Sequence, residues 1–233
     1  MRKVLLVLVI LLAVGLVAAD RLGVRVAQNE IGKQVAAQYQ LSQRPDVTIH
    51  GIPFLTQAVG GDYDKIDVAI GDWTEQGVTV HGVKIEMRGV NAPLSQVTSG
   101  NAESVTARTA TASAVLPYSV IKERAPKEVK GIAPKGDDLQ VELTGAVLGF
   151  PVTGTAIVKV KPTAKGISIT PVSVGSNGSS QIPLALVQRQ LTWTVPVANL
   201  PVGSRITAIQ PTPEGLRVAA TADNVRLNDL PNA

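Results

Sequence analysis

The histidines are the residue type in this chain best suited to acid–base catalysis or metal binding. His50 and His81 each lie in a strand-like alternating pattern, where a single imidazole is most often a half-exposed polar side chain. Neither belongs to a zinc-binding His-x-x-Glu-His type of spacing. The sequence also contains no Gly-x-Ser-x-Gly nucleophile turn and no Gly-x-x-x-x-Gly-Lys-Ser/Thr phosphate loop. The absence of these motifs favours a protein that is not an enzyme and that holds no metal or cofactor at a recognisable motif. It leaves open a catalytic site whose groups converge from distant positions.

The densest acidic cluster follows two glycines. Asp62, Asp64 and Asp67 lie within six residues, a density that suggests a calcium loop. The spacing departs from the EF-hand because Ile66 occupies a ligand position and no glutamate closes the loop. The pattern favours a glycine-rich turn that enters a strand with an acidic exposed face, and it leaves calcium open.

The N-terminus has the layout of a secretory leader. Arg2 and Lys3 precede an apolar run from Val4 to Ala19, and the run ends in small residues. Residues 1–19 are therefore predicted to be a signal peptide or, through residues 4–19, an uncleaved membrane anchor, since the run is close to the shortest length that spans a bilayer. The remaining residues, 20–233, are predicted to be a single domain exported to the periplasm or cell envelope.

The composition of the chain excludes several functions for the domain predicted at residues 20–233. The 233 residues include no cysteine, so disulfides and thiol chemistry are excluded. Hydrophobic residues make up 45% of the chain but aromatic residues only 3%, so the apolar content is mainly aliphatic. A formal charge of +4 that includes the two leader cations is too balanced for nucleic-acid binding. It allows a modest basic patch against anionic lipid.

The hydrophobic period changes along the chain. From Leu22 to Leu41 it is helical and amphipathic, whereas most of the chain after Pro45 alternates with turn residues between the runs. Tyr118–Val129, interrupted by Pro126, and Leu184–Leu191 are predicted to be two shorter helices. The fold class predicted from these patterns is α+β, with an antiparallel meander after the N-terminal helix.

Three segments resemble a known family. They are Gly51-Ile-Pro-Phe-Leu-Thr-Gln57 with the glycines after it, Leu200-Pro-Val-Gly-Ser-Arg-Ile206, and Glu214-Gly-Leu-Arg-Val-Ala-Ala220. Together with the order of leader and helix, they resemble the LmeA-like family of actinobacterial cell-envelope phospholipid-binding proteins. The resemblance implies a fold similar to tubular lipid-binding proteins, in which a long curved antiparallel sheet wraps around the long N-terminal helix and an acyl-chain cavity. It also implies binding of phosphoinositide-type phospholipid and support of lipomannan and lipoarabinomannan elongation, with an envelope glycosyltransferase as a possible partner.

Candidate lipid contacts follow from the apolar patterns. The proposed acyl-chain contacts are Ile31, Val35, Tyr39, Phe54, Leu55 and Trp73, and each of these has packing in the core as its alternative. Phe54 and Leu55 are interpreted as a cavity lid, a membrane-touching tip, or a loop anchored to the core. The basic residues predicted to contact headgroups or the membrane surface are Lys122, Arg124, Lys127 and Lys130. An exported structural module that scaffolds envelope enzymes stays as the alternative function.

Overall fold

The structure is a computed structural model that describes residues 2–75, 77–93, 105–147, 150–164, 166–176, 184–197 and 203–226. Its helices are α1 (Arg2–Gln38), α2 (Phe54–Gly60), α3 (Tyr118–Glu123) and α4 (Leu184–Leu191). Its strands are β1 (Asp46–His50), β2 (Asp62–Glu75), β3 (Val78–Asn91), β4 (Thr106–Leu116), β5 (Val129–Lys135), β6 (Asp138–Val147), β7 (Phe150–Thr163), β8 (Gly166–Ser176), β9 (Trp193–Pro196), β10 (Arg205–Thr212) and β11 (Gly215–Arg226). The predicted α+β class is confirmed.

Helix α1 joins the leader and the predicted amphipathic helix into one continuous helix. Residues 2–19 are all exposed, and burial begins at Asp20. Among the described residues, α1 is the helix long and apolar enough to cross a membrane. Gly32 lets the following chain approach closely, because a Cβ there would lie 2.9 Å from the carbonyl oxygen of Pro45. The helix ends at Gln38, just before Gln40 adopts a positive φ.

The strands form two antiparallel sheets rather than the single sheet that was predicted, and one of them is curled into a half-barrel. The first sheet has the order β1-β2-β3-β4-β11-β10. The second has the order β5-β6-β7-β8-β9, in which every strand pairs with its neighbour in sequence. The predicted meander is therefore clearest in the second sheet.

Four elements differ from the sequence prediction. The glycine-rich segment after β1 contains helix α2, a third short helix in addition to the two predicted. Helix α3 ends at Glu123 rather than Val129, because Pro126 disfavours helical backbone at the residue before it. Val129 instead begins β5, and strand β9 was also not predicted.

The chain divides into two compact units. Unit 1 comprises Met1–Gly71, Lys84–Thr111 and Ala222–Ala233, and unit 2 comprises Asp72–Val83 and Ala112–Thr221. Each unit has its own hydrophobic core. The single domain expected from the sequence stays a prediction.

The core of unit 2 follows the two-residue period of its strands. Leu139, Val141 and Leu143 of β6 are at most 1% exposed, as are Ile167 and Ile169 of β8. Because alternate side chains of a strand point to one face, the three residues of β6 share one face of that strand and the two of β8 share one face of theirs. Strand β7 lies between β6 and β8, and all five residues belong to one hydrophobic core. Helices α3 and α4 add one buried residue each to this core, Ile121 and Leu191.

The core of unit 1 joins α1, α2 and the strands β1–β4. Its buried residues are Val24, Val47, Ile49, Phe54, Ala58, Ile66, Val68, Val90, Ala92 and Ala107. Most of these side chains are Val or Ala, so the core relies on small groups and on one buried aromatic ring. Unit 1 contains Gly51–Gln57, the first of the three segments that resemble the family.

Candidate functional site

The segment from Gly51 to Gly61 connects β1 to β2 and contains α2. Gly51 has φ +102°, a value that side-chain-bearing residues rarely adopt. A Cβ at this position would also overlap the side-chain amide of Gln57. The position therefore requires glycine for two independent reasons, backbone conformation and space.

Gln57 ties together the two strands that flank the segment. Its Nε2 donates a hydrogen bond to the carbonyl oxygen of His50 at 3.2 Å, at the end of β1. Its Oε1 accepts a hydrogen bond from the backbone N–H of Asp64 at 3.1 Å, near the start of β2. The glutamine of the Pro-Phe-Leu-Thr-Gln segment therefore has a structural role.

Gly61 closes α2. It adopts the left-handed conformation with φ +76°, and its N–H donates to the carbonyl oxygen of Gln57 at 2.7 Å. Its own carbonyl oxygen accepts from the N–H of Ala92 at 2.7 Å, and a Cβ would lie 2.8 Å from Cα of Pro93. The close approach to the chain after β3 explains the glycine at this position.

Phe54 and Leu55 have different environments. Phe54 is buried in the core of unit 1, and its ring lies 6.4 Å from that of Tyr63. Burial raises the pKa of the Tyr63 hydroxyl. Leu55 is 40% exposed, although its backbone lies against α1. Of the interpretations given above, Phe54 fits the core anchor, and Leu55 keeps an apolar side chain at the surface.

Asp20 connects α1 to α2, and sequence reasoning missed this residue. Its side chain is buried, and its Oδ1 accepts a hydrogen bond from the N–H of Leu55 at 2.8 Å. Arg21 pairs with its Oδ2. The bond from Leu55 holds the pKa of the Asp20 carboxyl below its ordinary value, and Arg21 acts in the same direction. The available signal was a carboxylate placed directly after an apolar run.

The candidate contacts on α1 form a partly buried stripe. Ile31 packs against the core of unit 1. Val35 and Tyr39 are also half-buried, and Tyr39 lies one residue beyond the helix, where its N–H donates to the carbonyl oxygen of Val35 at 3.1 Å. These three positions, together with Phe54 and Leu55, belong to unit 1.

The other candidate positions belong to unit 2. Trp73 is half-buried in β2. The four candidate cations are all exposed. Lys122 lies on α3, Arg124 and Lys127 lie in the connection from α3 to β5, and Lys130 lies in β5. Within the described part of the chain, none of these four cations has a carboxylate within salt-bridge distance, and Lys130 Nζ instead donates to the carbonyl oxygen of Lys127 at 2.8 Å.

The clustered acids of β2 have protein partners. Asp62 Oδ1 accepts a hydrogen bond from Asn91 Nδ2 at 2.7 Å. Asp67 Oδ2 lies 2.8 Å from His50 Nε2 and 3.2 Å from Lys65 Nζ. Among the described residues, no group of three or more His, Cys, Asp or Glu side chains is arranged to hold a metal ion. Asp62 and Asp67 thus connect β2 to the neighbouring strands β3 and β1.

The charged network continues onto β3. Lys65 Nζ lies 2.8 Å from Glu86 Oε2, and Arg88 Nε donates to Glu86 Oε1 at 2.7 Å. The hydrogen bond with Glu86 raises the pKa of Lys65, and the same bond lowers the pKa of Glu86.

In unit 2, His81 Nδ1 lies 2.9 Å from Asp72 Oδ2, and this bond lowers the pKa of Asp72. Each of the two histidines therefore lies within hydrogen-bonding distance of an aspartate on a neighbouring strand.

A polar cleft of about 320 Å³ lies between α1 and the start of β1. Its lining residues are Gln28, Asn29, Arg44, Pro45, Asp46 and Val47. Amide, guanidinium and carboxylate groups in one cleft suit a hydrated polar ligand better than an acyl chain. Sequence reasoning did not select any of these residues.

Comparison with known proteins identifies the family. A family model described as LmeA-like phospholipid-binding matches residues 18–221. The chain belongs to this family. No curated protein and no solved structure gives a match. The resemblance read from the sequence is confirmed.

Membership of the LmeA-like family supports lipid as the ligand class. The family is a phospholipid-binding one and is not a known family of enzymes. Its match includes α2, β10 and β11 as far as residue 221, and it covers all three quoted sequence segments. Two of these segments, Gly51–Gln57 and Glu214–Ala220, lie wholly within the described residues. In the third, residues 200–202 lie outside the described residues.

Proposed function

We propose that the protein is exported and binds an anionic, phosphoinositide-type phospholipid, whose acyl chains occupy an apolar cavity. The family match over residues 18–221 is the observation that carries this proposal. The aliphatic composition supports it, because burial of an acyl chain is non-directional and needs a smooth apolar surface. Catalysis is not part of the proposed function.

In unit 1 the proposed acyl-chain contacts are the half-buried Ile31, Val35 and Tyr39 of the α1 region, together with Leu55. In unit 2, the half-buried Trp73 is proposed as a separate apolar contact. Partial burial supports these five, because a ligand can still cover the exposed part of each side chain. Phe54, which is already buried among protein side chains, is proposed to support the contacts of unit 1 from beneath.

The proposed headgroup contacts are four exposed cations of unit 2. Lys122, Arg124, Lys127 and Lys130 lie within nine residues of sequence. The two acids in the same stretch compensate this charge only in part, since Glu123 is exposed but Glu128 is buried. Such an excess of exposed positive charge favours an anionic headgroup over a zwitterionic one.

The proposed biological role is support of mannan-lipid elongation, that is, of lipomannan and lipoarabinomannan, or maintenance of envelope lipid in the periplasm. Helix α1 supports this location, because an apolar N-terminal helix either directs export or anchors the chain at the membrane. An envelope glycosyltransferase that receives the lipid is the proposed partner.

The test is lipid binding by the full chain in lipid nanodiscs. Mass spectrometry after purification from a native membrane should find a bound phospholipid. A fluorescent phosphatidylinositol should then bind more tightly than a phosphatidylcholine with the same acyl chains. Changing Lys122, Arg124, Lys127 and Lys130 to Gln should weaken only the former, by roughly fivefold for each cation, since each contributes about 1 kcal/mol at an anionic surface.

A matched control removes the same charge elsewhere in unit 2. Lys135, Lys159, Lys161 and Arg217 are also exposed, and changing them to Gln should leave both affinities unchanged. Equal loss in the two quadruple variants would show that general charge, rather than a headgroup site, determines binding. Absence of any co-purified or added phospholipid would refute the proposal as a whole.

A further inference from the structure

Three aliphatic side chains around α2 remain at the surface. Ile52 is 80% exposed, Leu55 40% and Val59 83%. Leu55 and Val59 are four residues apart and therefore lie on the same face of α2. Phe54 and Ala58, also four residues apart, are buried in the core of unit 1. We call Ile52, Leu55 and Val59 the α2 apolar patch.

The position of this patch along α1 is fixed by direct contacts. Asp20 Oδ1 accepts the hydrogen bond from Leu55 N–H, and a Cβ at Gly23 would lie 3.4 Å from Leu55 Cδ2. The apolar run of α1 ends at Ala19. At 1.5 Å of rise per residue, Gly23 lies only about 6 Å beyond that end.

Helix α1 continues without a break through this point. It is one helix from Arg2 to Gln38, so the apolar run and the residues that contact α2 lie on the same continuous helix. If residues 4–19 lie in the hydrocarbon, residues 20–23 lie at the level of the headgroups. The α2 apolar patch is then held at the same level.

The side chains of α1 at this level also suit a membrane boundary. Leu22 and Val26 lie beyond the apolar run, yet both are exposed. Arg25 is exposed between them. A long basic side chain beside apolar ones is typical of a helix that leaves a bilayer, because the stem stays in apolar surroundings while the guanidinium reaches the phosphates.

We infer that the α2 apolar patch inserts into the bilayer leaflet from which α1 emerges. The chain then contacts the membrane at two places, the apolar run of α1 and the patch, which Asp20 and Gly23 hold together. This second contact fixes the rotation of unit 1 about the axis of α1, which a single helix cannot do. The continuity of the patch with the apolar run favours lipid over a protein partner.

Direct depth measurement tests the inference, and the chain is well suited to it because it has no native cysteine. Val59→Cys, labelled with an environment-sensitive fluorophore, is placed in the full chain in phosphatidylcholine–phosphatidylglycerol nanodiscs. We expect blue-shifted emission that is quenched by spin-labelled lipid and protected from iodide. Thr48→Cys, at an exposed position of β1 in the same unit, should give the reverse.

A second variant excludes insertion driven by the label itself. With the label at Ile52→Cys, the double change Leu55→Asp and Val59→Asp should move the fluorophore from lipid quenching to iodide quenching. The control Gln43→Asp with Thr48→Asp adds the same charge at exposed polar positions and should leave the label in lipid.

Two outcomes would overturn the inference. Quenching of the label at Val59→Cys by iodide alone would show that the α2 apolar patch lies in water. Protection from both quenchers would mean that protein covers it. Neither result depends on which lipid the protein binds, so the measurement is separate from the test of the proposed function.

Discussion

The two units of this chain achieve stability in different ways. In unit 2 the core is aliphatic and tightly closed, with Leu139, Val158, Ile167 and Ile169 fully buried. In unit 1 the described core residues are smaller and slightly more accessible, and even Ala107, the most buried of them, is 2% exposed. Unit 1 adds polar links that involve buried or strained positions. The comparison indicates that the unit attached to α1 depends more on individual hydrogen bonds and glycines.

The largest expected effect tests the difference in packing. Ile169→Ala in unit 2 should lower the free energy of unfolding by an amount near the upper end of the range of about 2–5 kcal/mol found for such changes. Ile66→Ala in unit 1 should lower the free energy of unfolding by an amount near the lower end of the same range, because Ile66 already touches solvent and its surroundings can relax. Native-state hydrogen exchange, read separately in each unit, gives both values.

The control for this pair is Ile52→Ala, since Ile52 is largely exposed. It should change the free energy of unfolding by at most about 0.5 kcal/mol. Equal costs at Ile66 and Ile169 would contradict the proposed difference between the two cores.

The second prediction concerns adjacent glycines of unit 1. Gly61→Ala should cost about 1–3 kcal/mol, because the new Cβ must tolerate a positive φ and a contact with Pro93. Gly60→Ala should be neutral or stabilise by up to about 1 kcal/mol, because nothing lies within 4 Å of its Cβ position and Gly60 is helical. Chemical denaturation of the two variants measures the contrast. A similar loss in both would show that α2 tolerates no side chain at its end.

The third prediction concerns Gln57. Gln57→Leu removes two hydrogen bonds, to His50 O and from Asp64 N–H, and should cost about 1–3 kcal/mol. Hydrogen exchange at Asp64 should accelerate in this variant. Thr56→Leu, at an exposed neighbouring position, is the control and should leave that exchange rate unchanged. Unaltered hydrogen exchange at Asp64 in Gln57→Leu would show that Gln57 does not stabilise unit 1 through this hydrogen bond.

The smallest expected effect is the pH dependence of the β2–β3 ion pair. The pKa of Glu86 is lowered, so its contribution is present above its ordinary pKa of 4.5 and is lost as the pH falls through the folded value. The pKa of Lys65 is raised, so its contribution is present below 10.5 and is lost as the pH rises through the folded value. Stability of unit 1 should therefore be flat near neutrality and decline at both extremes.

Glu86→Gln isolates this pair. It should flatten the acid limb of the stability profile of unit 1 and reduce the alkaline loss assigned to Lys65. Glu30→Gln, an exposed acid on α1, is the matched control and should leave the alkaline limb unchanged. An alkaline limb that is the same in Glu86→Gln and wild type would assign the loss to other groups.

Strong alternating patterns predicted most strands correctly. Strands β1 and β8 both lie in the part of the chain after Pro45 where alternation was predicted, and the helix predicted at Leu184–Leu191 has these same bounds in the structure. These segments combine a clear period with turn residues at their ends, so local sequence decides them. The family was also predicted from the sequence, because the Pro-Phe-Leu-Thr-Gln segment resembles that of the family. In the structure this segment lies where the backbone conformation has special requirements.

Short elements could not be predicted in the same way. Helix α2 has seven residues, too few to be stable alone, and depends on Asp20, on Gly61 and on the burial of Phe54. Strand β9 has four residues and depends on pairing with β8, where Trp193 is opposite Ile169. In both cases the stabilising partner is distant in sequence.

The sequence by itself determined the α+β class, the apolar N-terminal helix, the aliphatic character of the cores and the family. The first three depend on composition or on a period within one segment, and the family depends on the residues of three short segments. Only the tertiary structure decided that the strands form two sheets, that Phe54 is buried while Ile52 and Val59 are exposed, and that Asp20 joins α1 to α2. Those facts depend on contacts between residues tens of positions apart, whose free energy no local pattern records.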